Sequence, residues 1–214
     1  MIAACIFDLD GVIVDTARYH FLAWKRLANE LGIAFNEVEN EKLKGVSRMR
    51  SLDIILELGK IRLSEGEKNI LAEKKNTWFV DYLTHMKPDE IFSGVKNLLV
   101  RLRDSGLKVG LASSSKNAMM VVELLNIKPE FDTIVDGTMI VNSKPDPEIF
   151  LMTAMRLGVS PEFCLVFEDA EAGVEAALSA GMKCIGIGSK AMLGKANRVI
   201  EHTGQFPMEL LEQL

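Results

Sequence analysis

The chain has 214 residues, of which 48% are hydrophobic and 26% are charged, and its formal net charge is -5. This is the composition of an ordinary globular protein, and it excludes a disordered or fibrous chain. The negative charge provides no basic surface for nucleic acid, and no apolar stretch approaches the roughly 20 residues of a membrane span. We therefore expect a cytoplasmic protein without nucleic-acid or membrane partners.

The first chemistry-bearing segment lies close to the amino terminus. Residues 2–7 form an apolar run that predicts a buried strand, and Asp8 and Asp10 follow it, with Gly11 next. The two acids would share one face of an extended chain, and glycine permits a sharp turn there. Ligands bind beyond the carboxyl ends of parallel strands, so the pattern indicates a metal and phosphate site. Asp and Gly are also ordinary residues of a turn, and the segment alone favours the site only modestly.

A helical insertion follows this strand. Apolar residues recur at helical spacing over residues 17–31, and two further helices are predicted at 51–58 and 64–83. The next strand begins only near residue 107, far beyond the length of one βα crossover. We therefore predict an all-helical cap domain, residues 16–86, inserted into a catalytic core formed by residues 1–15 and 87–214.

Beyond the insertion, strands alternate with helices. This alternation predicts an α/β fold with a doubly wound parallel sheet. Glycines stand where most of the helices should end, which supports the assigned limits. The predicted strands are 107–112, 133–135, 163–167 and 183–187, and the predicted helices are 95–104, 117–126, 147–157 and 171–180.

Three polar loops follow the strands and should meet the first two acids at one edge of the sheet. One is a hydroxyl-rich loop that suits a phosphate and would equally suit a simple helix cap. The second carries Lys144 before a proline, where it could face an anion or belong to a plain turn. The third places Glu168 and Asp169 at a strand end, which favours a metal site over a solvated turn. The residues of the hydroxyl-rich loop are Ser113, Ser114, Ser115, Lys116 and Asn117.

Together these groups suggest phosphoryl transfer. Mg²⁺ prefers oxygen ligands and could bridge Asp8, Asp169 and a phosphate oxygen, while Lys144 supplies further positive charge. Asp8 could then attack phosphorus and form an aspartyl-phosphate. Asp10 would protonate the leaving oxygen and later deprotonate the acceptor hydroxyl. A metal site without catalysis is the alternative.

The four motifs resemble, in order and spacing, those of the haloacid dehalogenase-like superfamily, over essentially the whole chain. The cap narrows the resemblance, because residues 15–24, 43–48 and 74–76 are similar to those of the β-phosphoglucomutase family. That family implies a monomeric, Mg²⁺-dependent isomerase with a small phosphosugar substrate. It would interconvert β-D-glucose 1-phosphate and D-glucose 6-phosphate through bound β-glucose 1,6-bisphosphate.

The resemblance also implies a role for each matched residue. Asp8 would be the nucleophile and Asp10 the general acid and base. Mg²⁺ would be held by Asp8, Asp169 and the backbone carbonyl of Asp10, with Glu168 beside it. The transferring phosphoryl group would be held by Ser113, Ser114 and Lys144. The other phosphate would be held by Arg48, Ser115, Lys116 and Asn117. Asp10 and the sugar would be positioned by Thr16, His20 and Lys75. Further substrate contacts are expected from Trp24, Gly45 and Val46.

Three alternatives stay open at this stage. A sugar-phosphate phosphatase would use the same chemistry, with water in place of the sugar hydroxyl, although the cap motif argues against it. A haloalkanoate dehalogenase would not need the second acid, Asp10. A catalytically silent phosphosugar-binding protein would have little reason to keep the acids and lysine together.

Overall fold

The computed structural model describes residues 1–43 and 46–213, and its centre is a six-stranded parallel sheet. The strand order is β3-β2-β1-β4-β5-β6, so the chain winds outward from β1 to one edge and then returns to build the other half. This is the predicted doubly wound fold, and its topological switch point lies between β1 and β4. The strands are β1 (Ala4–Phe7), β2 (Lys108–Ala112), β3 (Thr133–Val135), β4 (Cys164–Glu168), β5 (Lys183–Ile187) and β6 (Arg198–Ile200).

Four helices lie between β1 and β2: α1 (Ala17–Glu30), α2 (Glu37–Glu41), α3 (Arg48–Gly59) and α4 (Glu65–Leu83). They share a hydrophobic cluster of their own, which includes Trp24, Leu27 and Leu52. Helix α4 begins after Ser64 with a capping box, in which the side chains of Ser64 and Glu67 each accept from the other's backbone amide. The sequence pattern did not predict α2, because this five-residue helix buries only Asn40 and so has no apolar periodicity.

The remaining helices cover the two faces of the sheet. The long ones agree with the predicted helices to within one or two residues. Strand β6 was not predicted, because it is a three-residue edge strand without a buried residue. The helices are α5 (Val95–Asp104), α6 (Ala118–Leu124), α7 (Glu148–Leu157), α8 (Glu171–Ser179), α9 (Lys190–Leu193) and α10 (Leu210–Gln213).

Strand β1 packs on both faces, as a central parallel strand must. Cys5 and Phe7 belong to one hydrophobic cluster, and Ala4 and Ile6 belong to the cluster on the opposite face. The Phe7 ring stacks on Phe167 of β4, with ring centroids 4.4 Å apart. The residue that follows Phe7 is therefore held at a rigid position in the middle of the sheet.

Two connections join the helical insertion to the sheet, and they lie side by side. Val14 forms an antiparallel bridge with Ile91, and the Phe92 amide donates to the Ile13 carbonyl at 2.9 Å. Tyr19, at the start of α1, donates its hydroxyl to Glu90 at 2.8 Å. Paired connections of this kind can act as a hinge between the insertion and the sheet.

Candidate active site

The register of the central strands brings the predicted loops together at the same edge of the sheet, at the carboxyl ends of the strands. Phe7 of β1 pairs with Leu111 of β2 on one side and with Phe167 of β4 on the other. Asp8 follows Phe7, and its amide donates to the Phe167 carbonyl at 3.0 Å. Glu168 comes directly after Phe167, so the acids from two adjacent strands lie side by side.

Lys144 connects these strands from the loop after β3. Its Nζ lies 2.5 Å from Asp8 Oδ1 and 2.5 Å from Glu168 Oε1, and 3.4 Å from the Ala112 carbonyl oxygen of β2. The side chain is fully buried. The Lys144–Pro145 peptide bond is cis. One ammonium group thus contacts a residue at the end of each of three neighbouring strands.

Burial and charge oppose each other in this cluster. Burial raises the pKa of Asp8 from 3.8 to about 7, although the nearby Lys144 charge lowers it. Burial by itself would lower the pKa of Lys144, but the charges of Asp8 and Glu168 outweigh it and raise that pKa. The lysine therefore stays protonated and favours the ionised, nucleophilic form of Asp8.

Asp10 occupies a different environment two residues later. Its amide donates to Asp8 Oδ2 at 2.9 Å, and its Oδ1 accepts a hydrogen bond from the Thr16 hydroxyl. Burial raises the pKa of Asp10, while the hydrogen bond from Thr16 lowers it. A raised pKa suits a carboxyl group that must carry a proton near neutral pH.

The oxygen atoms near this turn fit a hard divalent cation in kind. Gly11 has φ +75°, and a Cβ there would overlap the Asp169 carboxylate, so that carboxylate lies against the turn beside Asp10. Within residues 1–43 and 46–213, no three acidic, histidine or cysteine side chains gather as a metal cluster. The expected set needs only two, Asp8 and Asp169, with one backbone carbonyl. Glu168 is occupied by Lys144 and by the Ala170 amide at 2.9 Å.

The hydroxyl-rich loop after β2 is organised by its own side chains. Ser113 is buried, and its hydroxyl accepts from the Ser115 amide at 3.2 Å. The Ser115 hydroxyl accepts in turn from the Asn117 amide, also at 3.2 Å. The Ser114 hydroxyl is buried without a hydrogen-bond partner among the described residues. An unpartnered buried hydroxyl in the cavity that Asp8 also lines suits a phosphate oxygen as ligand.

On the cap side, Lys75 is enclosed by His20 and aromatic rings. Its Nζ lies 2.9 Å from His20 Nδ1 and 4.5 Å from the ring centroids of both Trp24 and Phe79. Burial and the charges of Lys75 and Arg48 lower the pKa of His20, so its ring is neutral. Burial and the charge of Arg48 likewise lower the pKa of Lys75. The charge of Asp10 acts in the opposite direction but does not outweigh them. Trp24 is only 2% exposed, so most of its ring packs within the cap.

A single cavity of about 450 Å³ connects these groups. Arg48 lies at the first turn of α3 and pairs with Glu73 of α4 at 2.7 Å. Gly45 lies outside the described residues, whereas Val46 lines the cavity. The other predicted residues that line it are Asp8, Asp10, Thr16, His20, Trp24, Arg48, Lys75, Ser114, Ser115, Lys116, Asn117 and Asp169; Ser113, Lys144 and Glu168 are buried beside it.

Three polar residues in the cavity lining or next to it in the chain were not among the predicted site residues. Asp136, buried at the end of β3, accepts from the Thr138 amide at 2.8 Å and so shapes the loop that leads to Lys144. The Asp-Gly pair that follows the strand is a turn signal that could have indicated it. Glu73 and Asn76 contact Arg48 and Asn117, respectively, and no sequence pattern marks either contact.

A model of the haloacid dehalogenase-like hydrolase family matches residues 5–187. The chain belongs to this family. It is 45% identical over 213 residues to a β-phosphoglucomutase from Bacillus subtilis, covering 98% of this chain and 94% of that one. It is 36% identical over 185 residues to a phosphorylated carbohydrates phosphatase from Thermotoga maritima, covering 85% and 83%.

The fold agrees with these sequence relationships. The solved structure of a β-phosphoglucomutase from Clostridium difficile matches with a TM-score of 0.95 and 46% identity, over 100% of this chain and 96% of that one. The resemblance inferred from the four motifs and the cap is therefore confirmed. Among the described residues, no helix is long and apolar enough to cross a membrane.

Proposed function

We propose that the chain is an Mg²⁺-dependent β-phosphoglucomutase, an isomerase that interconverts β-D-glucose 1-phosphate and D-glucose 6-phosphate. One observation carries this proposal: the cavity lined by the buried nucleophile Asp8 is also lined by two cationic residues, Arg48 and Lys116, which can hold a second phosphate. A bisphosphate intermediate must be held at both of its phosphates, whereas a phosphatase can omit the second site. The similarity to two β-phosphoglucomutases supports the proposal.

The two halves of the cavity are contributed by different parts of the chain. Residues 16–86 act as a cap over a core of residues 1–15 and 87–214, and the paired connections at Val14 and Ile91 form the hinge. Closure of the cap keeps water from the aspartyl-phosphate. The enzyme is a cytoplasmic monomer whose partner is a small phosphosugar.

In the first step, an Asp8 carboxylate oxygen attacks phosphorus of β-glucose 1,6-bisphosphate. The bond from phosphorus to the sugar oxygen breaks, and Asp10 gives its proton to that oxygen. Lys144 and the serine hydroxyls hold the transferring group. Asp8, Asp169 and the backbone carbonyl of Asp10 would hold Mg²⁺, which would supply positive charge to offset the negative charge of the phosphoryl group.

In the second step, the glucose 6-phosphate left by transfer of the 1-phosphate departs, and β-glucose 1-phosphate binds with its 6-hydroxyl facing the aspartyl-phosphate. Asp10 takes the proton from this hydroxyl as its oxygen attacks phosphorus, which breaks the bond to Asp8 and forms β-glucose 1,6-bisphosphate. The bisphosphate then turns around so that its 1-phosphate faces Asp8 for the next cycle. Arg48 holds the phosphate that is not transferred, because its planar guanidinium can donate two hydrogen bonds to phosphate oxygens. We call this second position the distal phosphate site, formed by Arg48, Ser115, Lys116 and Asn117.

The deciding experiment supplies β-glucose 1-phosphate, Mg²⁺ and a trace of β-glucose 1,6-bisphosphate, and follows glucose 6-phosphate and free phosphate separately. The proposal expects glucose 6-phosphate to form much faster than free phosphate. Fast phosphate release without the isomer would show a sugar-phosphate phosphatase instead. Binding without any turnover would show a silent phosphosugar-binding protein.

Arg48→Ala tests the distal phosphate site. We expect mutase turnover to fall by about 10- to 100-fold, since a hydrogen bond to a charged group contributes about 1.5–3 kcal/mol. The rate at which the aspartyl-phosphate loses its phosphoryl group to water should change far less. Arg50→Ala is the matched control, because Arg50 lies on the same helix and pairs with an exposed Glu57 at 3.2 Å. Equal losses of mutase turnover and hydrolysis in Arg48→Ala would contradict the assigned role.

A further inference from the structure

We propose that Asn76 is a positioning residue for the distal phosphate: it orients the side-chain amide of Asn117 and thereby links cap helix α4 to phosphate binding by the core. This inference rests on the proposed function, which places a second phosphate next to Asn117. Asn76 itself touches neither the phosphate nor the reacting atoms. It acts through the amide of its partner.

The proposal begins with a contact across the cavity. Asn117 Nδ2 donates a hydrogen bond to Asn76 Oδ1 at 2.9 Å. Asn76 lies on α4, and Asn117 is the last residue before α6. Both side chains are partly buried, and both line the 450 Å³ cavity. The bond therefore joins cap and core beside the position expected for the distal phosphate.

The side-chain amide of Asn117 stands at the end of a loop whose backbone is held by its own hydroxyls. The hydroxyls of Ser113 and Ser115 each accept from the backbone amide two residues later, so the loop backbone is fixed as far as the amide of Asn117. The Asn117 side chain can still rotate about its own bonds. Asn76 supplies the partner that fixes this last rotation.

The direction of the hydrogen bond decides which atom faces an anion. A side-chain amide carries one acceptor oxygen and two N–H donors, and its two ends have nearly the same shape. If the oxygen faced a phosphate, the two would repel. Asn76 accepts one N–H of this amino group and both residues line the cavity, so the second N–H remains for a phosphate oxygen. The hydrogen bond to Asn76 holds the amide in this orientation, in which it can donate to an anion.

The same face of α4 also contacts the other half of the distal phosphate site. Glu73 lies one turn before Asn76 and accepts from Arg48 Nη1 at 2.7 Å. Residues three apart on a helix are neighbours on its surface. Helix α4 therefore contacts Arg48 of the cap and Asn117 of the core, which are both expected to hold this phosphate. A shift of α4 would alter both contacts.

The test compares Asn76→Ala with a substitution at an exposed neighbour on α4, Thr77→Ala. The Thr77 hydroxyl donates to the Glu73 carbonyl of the same helix at 3.1 Å. With β-glucose 1-phosphate we expect kcat/KM of Asn76→Ala to fall about three- to tenfold, mainly through KM, as for one lost hydrogen bond. Hydrolysis of acetyl phosphate, which has no second phosphate, should stay within about twofold of the wild-type rate. Thr77→Ala should match the wild type in both assays.

The double variant Asn76→Ala/Asn117→Ala shows whether Asn76 acts through its partner. In the Asn117→Ala background, removing Asn76 should cause no further loss of kcat/KM. A further loss would mean that Asn76 contacts the substrate directly, and equal losses with acetyl phosphate would mean a structural role. Either result overturns the proposal.

A spectroscopic measurement separates this inference from the proposed function. In the ligand-free protein, the NMR signals of the Asn117 side-chain NH2 should shift in Asn76→Ala, and should keep a hydrogen-bonded position in Asn76→Asp, which retains the acceptor oxygens. An unchanged signal in Asn76→Ala overturns the inference. A wild-type protein that forms no glucose 6-phosphate overturns the proposed function, even where the NMR result confirms the contact.

Discussion

Replacing Lys144 by methionine removes a buried cation that contacts two buried acids. Asp8 Oδ1 and Glu168 Oε1 each lie 2.5 Å from its Nζ, and all three side chains are nearly or fully buried. Removing one partner of a buried ion pair costs about 3–5 kcal/mol, because the remaining charge is left without compensation. We expect the free energy of unfolding of Lys144→Met to fall by this amount in metal-free protein at pH 8, measured by urea denaturation with EDTA present.

The loss should depend on pH. Burial already raises the pKa of Asp8 from 3.8 to about 7 in the folded protein. A carboxyl with a raised pKa stabilises the fold while protonated, and that stability is lost as pH rises through the folded-state value. Without the charge of Lys144 the pKa rises further, so the variant should lose less stability at pH 5 than at pH 8. Adding Glu168→Gln should restore part of the loss.

Lys195 provides the matched control for this experiment. It also contacts two acids, Glu171 at 3.3 Å and Glu175 at 2.5 Å, but it is 57% exposed. Exposed pairs of this kind contribute little because water screens them, so Lys195→Met should leave the unfolding free energy unchanged. The reasoning is refuted if the two lysine variants lose equal stability, or if the loss in Lys144→Met is the same at pH 5 and pH 8.

Three further predictions concern the reaction itself. Asp10→Asn should lower mutase turnover by about 10²- to 10⁴-fold, as for loss of a general acid, and a loss below about tenfold in steady-state assays would contradict that role. Gly11→Ala should raise the Mg²⁺ concentration needed for half-maximal activity, because its methyl group would displace Asp169; Gly32→Ala, with a similar φ of +70° but no close neighbour, should leave the Mg²⁺ titration unchanged. EDTA should abolish turnover and added Mg²⁺ should restore it, whereas full activity in EDTA would exclude the metal requirement.

Much of the fold follows from local pattern. Helical spacing of apolar residues predicted the long helix α1, the capping-box pattern of Ser64 and Glu67 marked the start of α4, and apolar runs bounded by turns predicted five of the six strands. The features that the pattern did not predict are short: α2 buries one residue and β6 buries none. Such elements form because the rest of the fold supports them, and their own sequences carry little periodicity.

The sequence by itself determined the chemical groups of the site and the strand ends on which they stand, because both depend on local order along the chain. Asp8 and Asp169 were predicted as phosphoryl-transfer residues from their positions after apolar runs, and Lys144 from its position before a proline. Only the tertiary structure decided that Lys144 holds both Asp8 and Glu168, and that Asn117 meets Asn76 across the cavity. These contacts join residues 24 to 136 positions apart, and their geometry depends on strand register and on how α4 packs over the sheet.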